Sequence, residues 1–193
     1  MSQTNSLHTE AMDLAERAFI ARMRGQTDEA VSLFAEASQL EKQAALDTDA
    51  QAQTSRAVLF RSAASLAINA QDWREAEKIA GRALSEEPPL EIIDELRDLL
   101  ELAQFHLEGS DPQDMDEADT QDIEIVGKLS YADASQRHIR LTDEAGNPLP
   151  YQISVPHSLN GIVRDHWDDT IMIKGLTHSN SHRVLMQEIR KIG

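Results

Sequence analysis

The histidines of the segment His178-Ser-Asn-Ser-His182 are the residues whose type and spacing come nearest to metal chemistry in this sequence. His138 or His166 could join them as a further ligand, since zinc sites take three or four protein ligands. The sequence contains no Cys and no HExxH pattern. A short polar run between two strands is typical of a solvated hairpin tip, so we predict no metal site.

Other signatures of catalysis are also absent from the sequence. It has no nucleophile elbow, no phosphate-binding P-loop and no GxGxxG fingerprint. Gly127 and Gly175 are isolated within predicted strands, where a glycine is typical of a bulge or a barrel bend. No pair of groups suited to acid–base catalysis stands out. The sequence therefore predicts a protein that is not an enzyme and has no cofactor.

The charge balance restricts the partners of the chain. Its 193 residues include 34 acidic and 18 basic ones, for a formal net charge of -16. Nonspecific binding of nucleic acid needs a surplus of Lys and Arg, so the favoured partner is another protein, of basic character. Residues 122–193 hold nine acidic and eight basic residues, and charge alone does not exclude nucleic acid there.

The same residues indicate a compartment. The first ten residues, MSQTNSLHTE, lack the basic and apolar pattern of a secretion signal. No stretch approaches the roughly 20 apolar residues that a membrane span needs. The absence of Cys fits a reducing environment. We expect a cytoplasmic protein that does not bind membranes.

Two groups of side chains are candidates for binding. The first group lies at the third predicted helix or just after it and could bind a partner protein; it comprises Arg56, Arg61 and Trp73. The two arginines could instead pair with acids of this chain, and Trp73 could pack internally. The second group lies on predicted strands. It comprises Lys128, Arg137, Arg140, Lys174 and Arg183. If these side chains share a face with Tyr131 or Tyr151, they could bind single-stranded nucleic acid. Otherwise they form the solvent-exposed side of a barrel.

Apolar residues at helical spacing predict five helices in the first part of the chain. Gly25 ends the first helix as a left-handed cap, Thr27 is the predicted N-cap of the second, and Pro88 stops the fourth. The first helix has two apolar faces, which is typical of a stacked helical repeat. The predicted ranges are about 8–24, 28–46, 55–70, 73–86 and 90–108.

An internal repeat joins these helices. The segment RGQTDEAVSLFAEA, which starts at Arg24, aligns with AQDWREAEKIAGRA, which starts at Ala70. Ala30 falls on Ala76 and Ala37 on Ala83, an offset of 46 residues. Small residues repeated at these positions predict helices that approach closely.

On these residues the chain resembles the tetratricopeptide repeat family. The family's small residue in the first helix matches Ala18 and Ala64, and its glycine at the turn matches Gly25. The apolar run of the second helix matches Ala30, Phe34 and Ala37, and the closing proline matches Pro88. The offset of 46 differs from the family's roughly 34 residues, and Gln71 stands where a second glycine is expected. The resemblance covers about residues 10–107 and implies a stack of helices that binds proteins.

The C-terminal part changes to a period of two, which predicts strands. Residues 110–121 form an acidic segment that is too polar to bury a core, and we predict a linker there. Three strands, of which the third is at 149–155, a short helix at 156–167 and two further strands follow. This order resembles the OB-fold, a five-stranded barrel, and an SH3-like barrel is the competing interpretation.

The sequence thus predicts an α+β protein of two domains: a tetratricopeptide-like helical domain at 1–109 and a small β-barrel with one short helix at 122–193. The expected function is that of an adaptor in protein–protein interaction. Two alternatives stay open, a single-stranded nucleic-acid binder with an acidic regulatory half and an antitoxin or immunity-type protein that neutralises a basic partner. A homodimer also stays open, since about three repeats are usually needed to complete a core.

Overall fold

A computed structural model describes residues 3–108, 120–133, 137–178 and 181–192. The chain divides into two compact units, residues 1–104 and 105–193, and the division falls within the last turns of the fifth helix. The predicted architecture is confirmed, with five helices followed by a closed barrel of five strands and a short helix. None of the described helices combines the length and the apolar character that crossing a membrane requires.

The helices follow the predicted ranges with small differences at their ends. The first begins at Gln3, before the predicted start at His8. The N-cap of the second is Gln26 rather than Thr27, which is its first helical residue. The bounds are α1 Gln3–Met23, α2 Thr27–Asp47, α3 Gln53–Asn69, α4 Trp73–Ser85 and α5 Leu90–Glu108.

The turns after α1 and α3 repeat the same hydrogen bonds 46 residues apart. The Gly25 amide donates to the Arg22 carbonyl at 3.0 Å, and the Gln26 amide donates to the Ala21 carbonyl at 3.0 Å. After α3, the Gln71 amide donates to Ile68 and the Asp72 amide to Ala67, both at 2.9 Å. This pattern of bonds is the Schellman motif. The repeat in the sequence is therefore a repeat in the backbone.

Alanines fill the helical core, as the sequence predicts. Closely approaching helices need small side chains at their contacts, and all the alanines singled out in the repeat are buried. Phe34 and Phe60 supply the largest buried rings of this unit. Between α2 and α3, the buried Ser38 hydroxyl donates to the Ala63 carbonyl at 2.9 Å. The buried alanines include Ala18, Ala30, Ala37, Ala63, Ala64, Ala67, Ala76, Ala80 and Ala83.

The barrel closes in the strand order β1-β2-β3-β5-β4, with β4 next to β1. All neighbouring strands are antiparallel except β3 and β5, which are parallel. β3 is shorter than the predicted strand at 149–155, and the predicted helix at 156–167 consists of a 3₁₀ turn at 157–159 followed by α6. The bounds are β1 Thr120–Asp133, β2 His138–Thr142, β3 Gln152–Ser154, α6 Asn160–Asp165, β4 Thr170–His178 and β5 Arg183–Lys191.

Because successive side chains of a strand point to opposite faces, one set of apolar side chains from each strand points into the barrel. Leu129, Ile139, Leu141, Ile153 and Ile171 are fully buried. The predicted bend at a glycine is confirmed for Gly175, where the register of β4 against β5 shifts. A Cβ at this position would lie 2.5 Å from the Leu185 carbonyl oxygen, so only glycine fits there.

Most of the predicted linker, residues 110–119, lies outside the described residues. Thr120 and Gln121, which the sequence analysis placed in the linker, already belong to β1. Thr120 pairs with His178 and Gln121 with Thr177 across the β1–β4 ladder. The strand pairing therefore extends two residues further than the alternation of apolar residues indicates.

Candidate functional site

The predicted binding residue Arg56 is engaged within its own helical unit. Its guanidinium forms a bidentate ion pair with Glu86, with Nε–Oε2 and Nη2–Oε1 distances of 2.5 and 3.0 Å. Its Nη1 atom also donates to the carbonyl oxygens of Ala45, Leu46 and Thr48, at 2.7, 3.3 and 3.0 Å. These carbonyls belong to the end of α2, where backbone acceptors lack partners within the helix. Arg56 thus caps the C-terminus of α2 and links it to Glu86 at the end of α4.

The electrostatics of this ion pair agree with its geometry. The hydrogen bond from Arg56 lowers the pKa of the Glu86 carboxyl, and the same bond raises the pKa of the Arg56 guanidinium. The Arg56 side chain is 12% exposed. The structure therefore gives Arg56 a stabilising role, and partner binding by this residue stays a prediction.

Arg61 and Trp73 lie elsewhere on the helical unit. The Arg61 Nη1 atom contacts Glu95 Oε2 at 2.6 Å and links α3 to α5, with both side chains substantially exposed. Trp73 is the first residue of α4 and is half-buried. Arg56 and Arg61 thus make separate contacts within the helical unit, and partner binding by the three residues stays a prediction.

An open groove lies between α1 and α3, with a volume of about 550 Å³. Its lining includes Val58, which is 38% exposed although it is apolar. Asp47 and Asp49 contribute carboxylates to the rim. The lining consists of Thr4, Asn5, His8, Asp47, Thr48, Asp49, Ala52, Thr54, Ser55, Val58 and Leu59.

A buried acid lies behind one wall of the groove. The Glu41 side chain is 1% exposed, and its carboxylate oxygens lie 2.8 and 3.1 Å from Nδ1 of His8. His8 lines the groove and is 47% exposed. Sequence reasoning missed both residues, although Glu41 falls at helical spacing from the buried Phe34 and Ala37 on the inner face of α2.

α1 and α3 also meet through the side chain of Arg22. Its Nη1 atom donates to the Asn69 side-chain oxygen at 2.8 Å. The same guanidinium lies over the rings of Phe19 and Phe34, 4.9 and 5.2 Å from their centroids. The hydrogen bond thus links α1 to α3, and the aromatic contact links α1 to α2.

The basic residues predicted on the barrel make separate contacts with neighbouring side chains, and a shared binding face stays a prediction. Lys128 pairs with Asp168, and Lys174 pairs with Glu124, each at 2.9 Å. Arg140 lies over the ring of Tyr131, 5.5 Å from its centroid. Arg183 lies over the ring of Phe105. The Arg140–Tyr131 pair combines a base-stacking ring with a cation, as predicted.

The histidines at the two ends of the β4–β5 turn have different surroundings, and residues 179–180 between them lie outside the described residues. His178 stacks on Phe105 with a centroid distance of 4.3 Å, and its Nε2 lies 2.9 Å from the Phe105 carbonyl oxygen. Because that oxygen only accepts, Nε2 carries the proton. His182 is exposed and lies edge-on to Tyr151. The interpretation of both histidines as a solvated tip is therefore wrong for His178.

The mouth of the barrel forms a second groove, with a volume of about 340 Å³. It opens between the β1–β2 end and α6, and its floor is apolar. Trp167, in the turn after α6, is 54% exposed. The lining consists of Ala132, Asp133, Arg137, His138, Ile139, Val155, Val163, Arg164 and Trp167.

Comparisons with known proteins add no further residue to these surfaces. No protein-family model matches this chain. No curated protein matches it either. The functional argument therefore depends on the two grooves and their side chains.

Proposed function

We propose that this protein is a non-enzymatic adaptor that binds another protein through its helical unit. The open groove between α1 and α3 is the observation that supports this proposal most directly. Helical repeat proteins use the surfaces between stacked repeats to bind their partners. The proposal requires no cofactor, metal ion or catalytic residue.

The tetratricopeptide-like character of the helical unit is part of the proposal. It is supported by the two equivalent Schellman turns. It is also supported by the burial of alanine at equivalent positions of the two repeats, Ala30 and Ala76, and Ala37 and Ala83. The offset of 46 residues exceeds the roughly 34 of that family, and the long α2 accounts for part of the difference, since it spans 21 residues.

The groove also indicates the chemistry of the partner. Asp47 and Asp49 contribute negative charge to the lining, and Val58 contributes an exposed apolar side chain. A segment with a Lys or Arg next to an apolar side chain would complement both features. Since rim charges act mainly through long-range attraction, binding should weaken as the salt concentration rises.

The experiment is capture of partners from the native cell extract with two matched variants of the full chain. Val58→Arg places a cation in the groove, and Val126→Arg places one on the exposed outer side of β1, where Val126 is 53% exposed. We expect one protein to be retained by the wild type and by Val126→Arg, and lost with Val58→Arg. Equal retention by both variants, with unchanged melting temperatures, would reject the groove as the binding site.

A second candidate function is binding of single-stranded nucleic acid by the barrel. The order β1-β2-β3-β5-β4, with α6 between β3 and β4, supports an OB-like assignment over an SH3-like one. The specific observation in its favour is the guanidinium of Arg140 over the exposed ring of Tyr131. A base could stack on such a ring while the cation contacts phosphate.

This candidate is tested with a fluorescent oligo-dT strand and the full-length protein at low salt. Tyr131→Ala should weaken binding by about 1–3 kcal/mol, the usual contribution of one stacked base. Arg190→Ala is the matched control, because Arg190 is an exposed cation on β5 that pairs with Glu188. Absence of binding by the wild type, or equal losses in both variants, would remove nucleic acid from consideration.

A further inference from the structure

The groove at the barrel mouth has the make-up of a small-ligand site. Its floor is formed by Ile139, Val155 and Val163, which belong to the barrel core and are at most 8% exposed. Its volume of about 340 Å³ falls in the range of small-molecule clefts, and such clefts occur in the mouths of β-barrels. An apolar floor open to solvent at this size favours a compact ligand over a chain segment.

The indole of Trp167 supplies a flat wall. Large aromatic side chains are costly to expose, because each one buries roughly 150–250 Å² when it is packed. Trp167 is nevertheless 54% exposed and lines the groove beside Val163. A flat ring placed against this indole would cover exposed apolar surface on both partners.

Two guanidinium groups flank the apolar floor. Arg137 is held in place, since its Nη1 donates to the Val155 carbonyl at 2.7 Å while the Val155 amide donates to the Arg137 carbonyl at 2.8 Å. Arg164 is 85% exposed, and its Nε lies 3.7 Å from Oδ1 of the exposed Asp165. An exposed pair at this distance contributes little, so Arg164 can contact a ligand instead.

The lining carries these two cations against one carboxylate, that of Asp133. This local balance is opposite to the net charge of -16 of the whole chain. Guanidinium groups recognise carboxylates and phosphates through charge-assisted hydrogen bonds. The geometry thus combines an apolar slot, an aromatic wall and a cationic rim.

We propose that the barrel mouth binds a small flat anion, a molecule in which an aromatic ring carries a carboxylate or a phosphate. The ring lies against Trp167 and covers Val155 and Val163. The anionic group contacts Arg164, with Arg137 fixed on the opposite side. This site is separate from the proposed protein-binding groove and does not depend on it.

The test uses the full chain with Trp73→Phe, which leaves Trp167 as the single tryptophan, since the sequence contains two. Phenyl phosphate is the anionic probe, and benzyl alcohol is its neutral match. We expect saturable quenching of the Trp167 fluorescence by phenyl phosphate and a much weaker response to benzyl alcohol. No saturable change, or equal affinity for the two probes, would overturn the proposal.

A pair of variants then tests the role of the rim. Arg164→Ala should weaken phenyl phosphate binding about tenfold through the loss of charge-assisted hydrogen bonds, while Arg190→Ala on β5 should leave it unchanged. Equal effects of the two variants would overturn the assignment. If phenyl phosphate binds as expected, oligo-dT is then added as a competitor. Displacement of phenyl phosphate by oligo-dT assigns the natural ligand to a nucleic-acid strand, and the absence of displacement assigns it to a free small molecule.

Discussion

Gly25 and Gln71 hold the same left-handed backbone conformation at equivalent helix ends, with φ angles of 75° and 58°. Each residue follows the first helix of its repeat, α1 or α3, and its amide donates the equivalent hydrogen bond of the Schellman motif. Glycine adopts this conformation without steric cost, whereas other L-residues do so at a cost. The second repeat therefore carries local strain that the first repeat does not.

Replacement of Gln71 by Gly should stabilise the helical unit. The relief of left-handed strain outweighs the added flexibility of the unfolded chain, for a net gain of about 0.5–1 kcal/mol. Urea unfolding followed by circular dichroism at 222 nm would measure it. The reverse change, Gly25→Gln, should destabilise by a similar amount, and a gain from that variant would contradict the argument.

Removal of the Arg56 side chain should destabilise the helical unit strongly. Arg56→Ala removes the bidentate partner of Glu86, which keeps its contact with Arg82, and it removes the donor to three carbonyls at the end of α2. We expect a loss of about 2–3 kcal/mol. Arg61→Ala is the control, because its exposed ion pair with Glu95 should contribute less than about 1 kcal/mol. Similar free energies of unfolding for the two variants would show that Arg56 does not close α2.

The Arg56–Glu86 pair should also make stability depend on pH in the acid range. The hydrogen bond from Arg56 lowers the pKa of Glu86 in the folded state below its usual 4.5. The stabilisation is therefore complete above about pH 4.5 and is lost as the pH falls through the lower folded value. Glu86→Gln should cost stability at neutral pH, and its difference from the wild type should shrink in acid. A difference that stays constant would refute this linkage.

Replacement of His8 by Ala should leave the buried Glu41 carboxylate without its imidazole partner. A buried polar group that loses its hydrogen-bond partner costs about 1–3 kcal/mol, whereas Glu10→Ala, at an exposed position of α1, should have little effect. The double variant with Glu41→Leu should recover much of the loss, because it removes the unpaired polar group. Thermal unfolding of the three proteins would measure these differences, and no recovery in the double variant would exclude this explanation.

Two glycines should respond oppositely to alanine. Gly175→Ala would bring Cβ within 2.5 Å of the Leu185 carbonyl oxygen, and overpacking of this kind costs about 1–3 kcal/mol. Gly81 lies within α4 with nothing within 4 Å of its Cβ position, so Gly81→Ala should stabilise by about 0.5–1 kcal/mol. Calorimetric unfolding of both variants decides the matter, and tolerance of Gly175→Ala would argue against the close approach of β4 and β5.

The architecture could be predicted because local patterns determine it. The residues that alternate between buried and partly exposed positions along β4, from Ile171 to Thr177, also alternate in the sequence. The repeated small residues of the helices are likewise recognisable within one short segment. Element ends differ from the predicted ones by a few residues. In α5 the neighbours Ile92 and Ile93 are both apolar, and Ile92 is the buried one, because the orientation of a helix depends on the elements that pack against it.

The candidate sites could be predicted only in part. Arg56 has the residue type of a binding group, but its partner Glu86 lies 30 positions away, and no periodicity links them. The barrel mouth joins Arg137, Val155 and Trp167, which are brought together by strand order and by α6. A single sequence gives no signal for such a juxtaposition.

The parallel pairing of β3 with β5 has a consequence for synthesis of the chain on the ribosome. β3 (Gln152–Ser154) acquires its second neighbour only when β5 (Arg183–Lys191) has been made. The contacts of the helical hairpins are local, so these hairpins can form while translation continues. A nascent chain that has just released β4 therefore displays two open strand edges, one on β3 and one on β4, and unpaired edges invite aggregation. Ribosome-bound chains of that length are expected to be the ones that chaperones protect.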